Sequence, residues 1–100
     1  MKQLGAAINA WIPQALLTLN AKSFLVERQY EQARDLYERI LQTNSAPEKD
    51  MDSQFGLATA YEALGDIEKQ KEHLEHVAEH GNQHDKARIA RGKLAEIAPV

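Results

Sequence analysis

The sequence predicts an all-α fold made of antiparallel helical hairpins, and three observations carry that prediction. Ala, Leu, Glu, Gln, Lys and Arg dominate the 100 residues and β-branched residues are sparse, a composition that favours helix. Apolar residues recur at intervals of three and four, most clearly at Leu57, Tyr61 and Leu64, which places them on one helical face. Directly after that stripe comes Gly65-Asp66. Glycine supplies the backbone that ends a helix, and aspartate is a good N-cap for the next one.

The elements follow in order. Lys2 to Trp11 forms a short helix with Leu4, Ile8 and Trp11 on one face, and Ile12-Pro13 breaks it. Pro13 suits the first turn of a following helix, so two helices are preferred to one kinked helix. Gln14 to Glu27 buries Leu17, Ala21 and Phe24, and Arg28-Gln29 is a turn. Tyr30 to Thr43 is amphipathic, with Tyr30, Ala33, Leu36, Tyr37, Ile40 and Leu41 opposite Glu31, Arg34, Asp35, Glu38 and Arg39. Asn44-Ser45-Ala46-Pro47 is the clearest loop. Helix resumes near Pro47 or Lys49 and runs to Leu64. Ile67 to His80 makes another, stopped by Gly81-Asn82. Residues 83–98 form a last helix carrying Ala87, Ala90, Leu94 and Ile97, ended by Pro99.

The hairpin repeats. Shifting the first by 37 residues superposes Ala21 on Ala58, Phe24 on Tyr61, Tyr30 on Ile67, Tyr37 on Leu74 and Ile40 on Val77. A shift of 33 carries Leu57 to Ala90, Tyr61 to Leu94 and Leu64 to Ile97. A period near 34 implies stacked helix pairs, each unable to bury its apolar face alone. The chain is one domain by length: an N-terminal helix over 1–12, a first repeat over 13–46, a second over 47–82, and a capping helix over 83–98. One hundred residues suffice to bury roughly two thirds of the unfolded surface.

Leu57-Ala58-x-x-Tyr61-x-x-Leu64-Gly65-Asp66 resembles the first helix and turn of a tetratricopeptide repeat. Arg28-Gln29-Tyr30-Glu31-Gln32-Ala33-x-x-x-Tyr37-x-x-Ile40-Leu41 resembles its second helix. The resemblance covers residues 14–97, about two and a half repeats. Gln70 and Asn20 depart from the family pattern, which implies looser packing there. Arg91 stands where a small residue is preferred, which suits a terminal cap with one solvated face.

The resemblance implies a short right-handed superhelix whose concave face, built from the first helix of each pair, holds a peptide or helix of a partner protein. Groove-facing residues would then be Thr18, Lys22, Leu25, Phe55, Thr59, Glu62 and Arg88, with an exposed Phe55 beside Thr59 and Leu25 as an apolar pocket. The alternative is that so short an array has little groove and Phe55 packs against the cap. A second alternative is homo-oligomerisation or assembly through the apolar N-terminal helix (Leu4, Ile8, Trp11, Ile12). The basic clamp by which some such repeats hold a chaperone's C-terminal carboxylate is not expected: Lys22 is joined only by Thr59, Gly56 and Asp85.

His73, His76, His80 and His84 fall within twelve residues. His76 and His80, four apart, have a spacing that can bind zinc or nickel. Val77 follows His76 where a catalytic zinc motif has glutamate, and Leu74 and Val77 form the apolar stripe. The expected reading is therefore a solvated Glu/His face without metal or cofactor; a metal site or a surface titrating near pH 6 are the alternatives. Catalysis is not expected, with no cysteine, no phosphate loop and no base near Ser23, Ser45 or Ser53. The net charge of −3 gives no footprint for nucleic acid. Lys86, Arg88, Arg91 and Lys93 spread around the last helix, and a docking surface for the acidic helix, in the same protein or in a partner, explains them more simply. Polar residues interrupt Leu4 to Val26, so no membrane span or signal peptide is expected, which favours a cytoplasmic setting. Whether the chain is whole or part of a longer protein stays open.

Overall fold

The computed structural model describes residues 14–82 and 84–97, so the expected helix over 1–12 lies outside the described residues. The fold is all-α. Five α-helices are described, α1 (Gln14–Val26), α2 (Tyr30–Thr43), α3 (Met51–Leu64), α4 (Ile67–His80) and α5 (Asp85–Ile97), with a 3-10 turn at Pro47–Lys49. None of them is long and apolar enough to cross a membrane.

Both tight turns are built alike. After α3, Gly65 adopts φ 82°; its N–H donates to the Glu62 carbonyl and the Asp66 N–H to the Tyr61 carbonyl. After α1, Arg28 adopts φ 63°, donating to Leu25 while Gln29 donates to Phe24. Each is a Schellman closure, which satisfies the last carbonyls of the helix. Arg28 therefore holds, 37 residues earlier, the left-handed position that glycine holds in the second pair, and a side chain costs about 1–2 kcal/mol there.

The loop between the pairs differs from the expected continuous helix. The chain makes a 3-10 turn at Pro47–Lys49 and breaks at Asp50, whose side chain accepts from the Ser53 N–H at 3.1 Å and caps α3. Asn44 organises the approach, accepting from the Ala46 N–H at 2.9 Å and donating to Asp50 at 3.3 Å.

Each helix packs on the next, and α1, α3 and α5 also pack side by side, whereas no comparable contact joins α2 to α4. Two cores result. Ala21, Ala33, Tyr37, Ile40, Leu41, Leu57, Ala60 and Tyr61 unite α1, α2 and α3. Ala58, Leu74, Val77, Ala87 and Ala90 unite α3, α4 and α5. Four of the five repeat-related pairs share this burial: Ala21/Ala58, Tyr37/Leu74 and Ile40/Val77 are fully buried, and Phe24 packs half-buried where Tyr61 is buried. Tyr30/Ile67 does not; Tyr30 is half-buried and Ile67 is 59% exposed at the first residue of its helix. Gln70 corrects a second expectation, since it is as enclosed as its counterpart Ala33.

The tightest joint lies between the pairs. A Cβ at Gly56 would fall 2.6 Å from the Tyr37 hydroxyl oxygen and 2.7 Å from ring carbon Cε2. Only glycine lets the aromatic ring lie on the α3 backbone. Gly56→Ala gains about 1 kcal/mol of helix propensity but overpacks the joint by about 1–3 kcal/mol; we expect a lower melting temperature, and an unchanged or higher one would refute the close approach. Conversely, Arg28→Gly relieves the left-handed turn for a gain of about 1 kcal/mol, read as a rise of about 4–8 °C in a thermal melt.

Candidate functional site

Three groove candidates on α1 and three on α3 follow the spacing i, i+4, i+7 and so share a face of each helix. Thr18, Lys22 and Leu25 mark α1; Phe55, Thr59 and Glu62 mark α3; Arg88 lies on α5. Lys22, Glu62 and Arg88 are exposed, while Thr18, Leu25, Phe55 and Thr59 are half-buried. The Thr59 hydroxyl donates to the Phe55 carbonyl one turn back at 3.0 Å, so its proton is turned inward.

Phe55 and Leu25, expected to line one apolar pocket, are both half-buried. Leu25 packs against the first core and Phe55 against the second. The same face of α3 is tied to α5 by two ion pairs, Asp52 with Lys86 and Glu62 with Lys93, both at 3.2 Å. Half-exposed pairs of this kind contribute about 0–1 kcal/mol each, and they bridge the two helices near either end of α3. Gly56, placed on the groove by sequence, is instead buried beneath Tyr37.

The basic residues of α5 are also accounted for within the fold. Lys86 and Lys93 pair with α3 and not with acidic α4, contrary to expectation; Arg88 pairs with Asp85 at 3.2 Å. Arg91 donates to the Ala78 and Asn82 carbonyls, both at 3.0 Å, closing the C-terminal end of α4 where carbonyls lack helical partners. The departure at Arg91 thus has a structural role.

The histidines correct the sequence reading most. His73 does not lie on a solvated face: it is largely enclosed, and its Nδ1 lies 2.7 Å from Gln54 Oε1. Gln54 is buried and donates through Nε2 to the Pro47 carbonyl at 3.1 Å. That bond fixes the amide orientation, so His73 Nδ1 must carry the proton. The His73 ring stacks on Tyr61, 5.8 Å between centroids and 4° between planes, and the Tyr61 hydroxyl donates to Glu38. Burial first, then that bond, pushes Tyr61 ionisation far above its ordinary range.

His76 and His80 continue the row at successive centroid separations of 6.2 Å. His76 leaves a buried Nδ1 without a partner, and His80 is exposed. His84 stands apart as the N-cap of α5, its Nδ1 accepting from the Lys86 N–H at 3.0 Å. Among the described residues no group of three His, Asp or Glu side chains could hold a metal ion.

No protein-family model matches the chain, and no curated protein or solved structure does either.

Enclosure lowers the His73 pKa, with the neighbouring Glu72 opposing and His76 assisting. A histidine whose folded pKa is lowered stays neutral in the native state, so its contribution is present above the unfolded value of about 6.5 and lost as pH falls below it. We expect the melting temperature to fall on acidification from pH 6.5, and His73→Phe, which keeps the stack on Tyr61, to flatten that fall. Parallel curves for both proteins would show that His73 titrates normally.

Proposed function

We propose that this chain is a tetratricopeptide-like interaction module that holds a peptide or helix of a partner protein along α1, α3 and α5. One observation carries the reading. The odd-numbered helices pack side by side while α2 and α4 do not. A two-layered array with one layer more closely spaced curves toward that layer, so α1, α3 and α5 line its concave side. Such a surface suits an extended or helical segment.

Its lining on this reading is polar and of mixed sign: Thr18 and Lys22 lie on α1 and Thr59 on α3, and Glu62 and Arg88 are held by neighbours on α5. With Phe55 and Leu25 committed to the cores, affinity would rest on polar contacts and on the stems of long side chains. No catalytic role is proposed, because the enclosed titratable groups serve packing, capping and helix–helix contacts. Of the three departures from the family pattern, Gln70 fills and Arg91 caps the structure, whereas Asn20 is exposed.

A second reading is favoured by one feature of α1. Leu16, Leu19 and Val26 are 50%, 60% and 83% exposed, and their spacing places them on one side of the helix. That stripe would serve assembly with another subunit, together with the apolar residues 1–12.

Affinity recovery with three forms of the chain separates these readings, with circular dichroism to confirm folding. On the groove reading, a partner captured by the wild type is lost with Lys22→Glu and retained with Leu19→Lys. Loss with Leu19→Lys alone would move the interaction to the α1 stripe, and equal recovery from all three would refute both.

A further inference from the structure

We propose that the cleft between α4 and α5 is a second docking site, shaped for a basic amphipathic helix of a partner protein. This inference does not rest on the groove reading. The cleft is open, encloses about 370 Å³, and is lined by Glu72, Glu75, His76, Ala78, Glu79 and Leu94. It has an apolar floor of Ala78 and Leu94 with carboxylates along its α4 side.

Two features specify the occupant. The first is the internal repeat, which shows what shape belongs there. Leu94 corresponds to Tyr61 and Phe24 in the preceding pairs. Phe24 packs in the first core beside α2, and Tyr61 is covered by the His73 ring of α4, the helix that follows it. In both earlier pairs the second helix fills this position. Among the described residues no helix follows α5, so Leu94 remains half-buried on an open floor. A helix restores the packing that the first two pairs already have.

The second is charge. Glu72, Glu75 and Glu79 follow spacings of three and four along α4, so they form one row. Among the described residues no Lys or Arg lies within ion-pair distance of any of them, and the imidazoles of His73 and His80 lie 3.7 and 3.9 Å from Glu72 and Glu79. Lys86, Lys93 and Arg88 of α5 are engaged with Asp52, Glu62 and Asp85, whereas Arg91 keeps its charge and donates to the carbonyl of Ala78, a residue of the cleft lining, and to that of Asn82. Those engagements also argue against a second copy presenting its α5 as the occupant. The complementary partner is a helix with Leu or Ile at i, i+3, i+4 and i+7, and Lys or Arg flanking that stripe, so that apolar contact and charge pairing act together.

The probe is a synthetic helical peptide of that pattern, labelled for fluorescence anisotropy, titrated into the chain in low-salt buffer. Backbone amide shifts locate its binding. Three controls accompany it: the same residues in scrambled order, a Leu→Ser version of equal charge, and a Lys→Glu version. We expect the amphipathic peptide to bind at least ten-fold more tightly than any control, with shifts centred on Glu75, Ala78 and Leu94. The exposed double substitution Glu75→Lys/Glu79→Lys should weaken it at least ten-fold, while Lys22→Glu leaves it unchanged. Equal binding of the scrambled peptide would reduce the effect to unspecific charge attraction and overturn the proposal. So would shifts confined to α1 and α3, no binding at millimolar peptide, or a dimer of the chain itself, seen by sedimentation, that the double substitution abolishes.

Discussion

The contact between the Tyr37 ring and the Gly56 backbone sets the spacing on which the two helical pairs depend. An aromatic side chain in a helix–helix joint normally holds the axes apart; removing the Cβ at Gly56 allows the ring to lie against α3 itself. Ile40, Leu57 and Ala60 then come within reach of one another and complete the first core. The Tyr37 hydroxyl is enclosed with the ring, and burial, with Asp52 and Asp50 nearby, pushes its ionisation up to about 12. It stays neutral in any ordinary buffer. At the second joint Leu74 replaces the tyrosine, and the position equivalent to Gly56 is Ile89, 49% exposed.

That first joint supports the polar chain behind it. Tyr61 sits on the core side of α3, and its ring is the platform for His73. His73 in turn holds Gln54, and Gln54 holds the Pro47 carbonyl of the inter-pair turn. Each buried polar group in this sequence of contacts has a partner, which is the condition for burying it without a large cost. The link from α4 to the Pro47–Lys49 turn is therefore specific in orientation as well as apolar.

Much of the scaffold was legible because helical periodicity and turn chemistry act locally. The stripe Leu57, Tyr61, Leu64, the Gly65-Asp66 turn, and the start and end of α2 and α4 lie where sequence places them. Asp50 was missed because Pro47 also suits a helix start, and only the turn geometry shows that the chain restarts three residues later. His73 was misplaced for a different reason. It was judged by its charged neighbours, although Gln70, His73 and Val77 have the spacing of one face; the signal was present but carried by polar residues. The site was less legible than the scaffold. Whether Phe55 faces a groove or a core depends on where α5 lies, and the pairs Asp52–Lys86 and Glu62–Lys93 span 34 and 31 residues. No local pattern fixes such contacts; only the alignment of α3 with α5 brings them together.

The same alignment explains why the two candidate surfaces differ in character. Lys86 and Lys93 of α5 pair with α3, Arg88 pairs with Asp85 of its own helix and Arg91 caps α4, so no lysine or arginine of α5 forms an ion pair with the Glu row on α4. The polar face along α1, α3 and α5 is consequently close to internally balanced, which lowers its long-range pull on any partner. The α4–α5 cleft sets a row of carboxylates beside an apolar floor. Carboxylates and floor favour different stages of association: charge raises the encounter rate and is screened by salt, whereas apolar contact lengthens the life of the complex. A partner of the cleft must satisfy both in one helix, and a partner of the odd-helix face must rely on shape and directional hydrogen bonds.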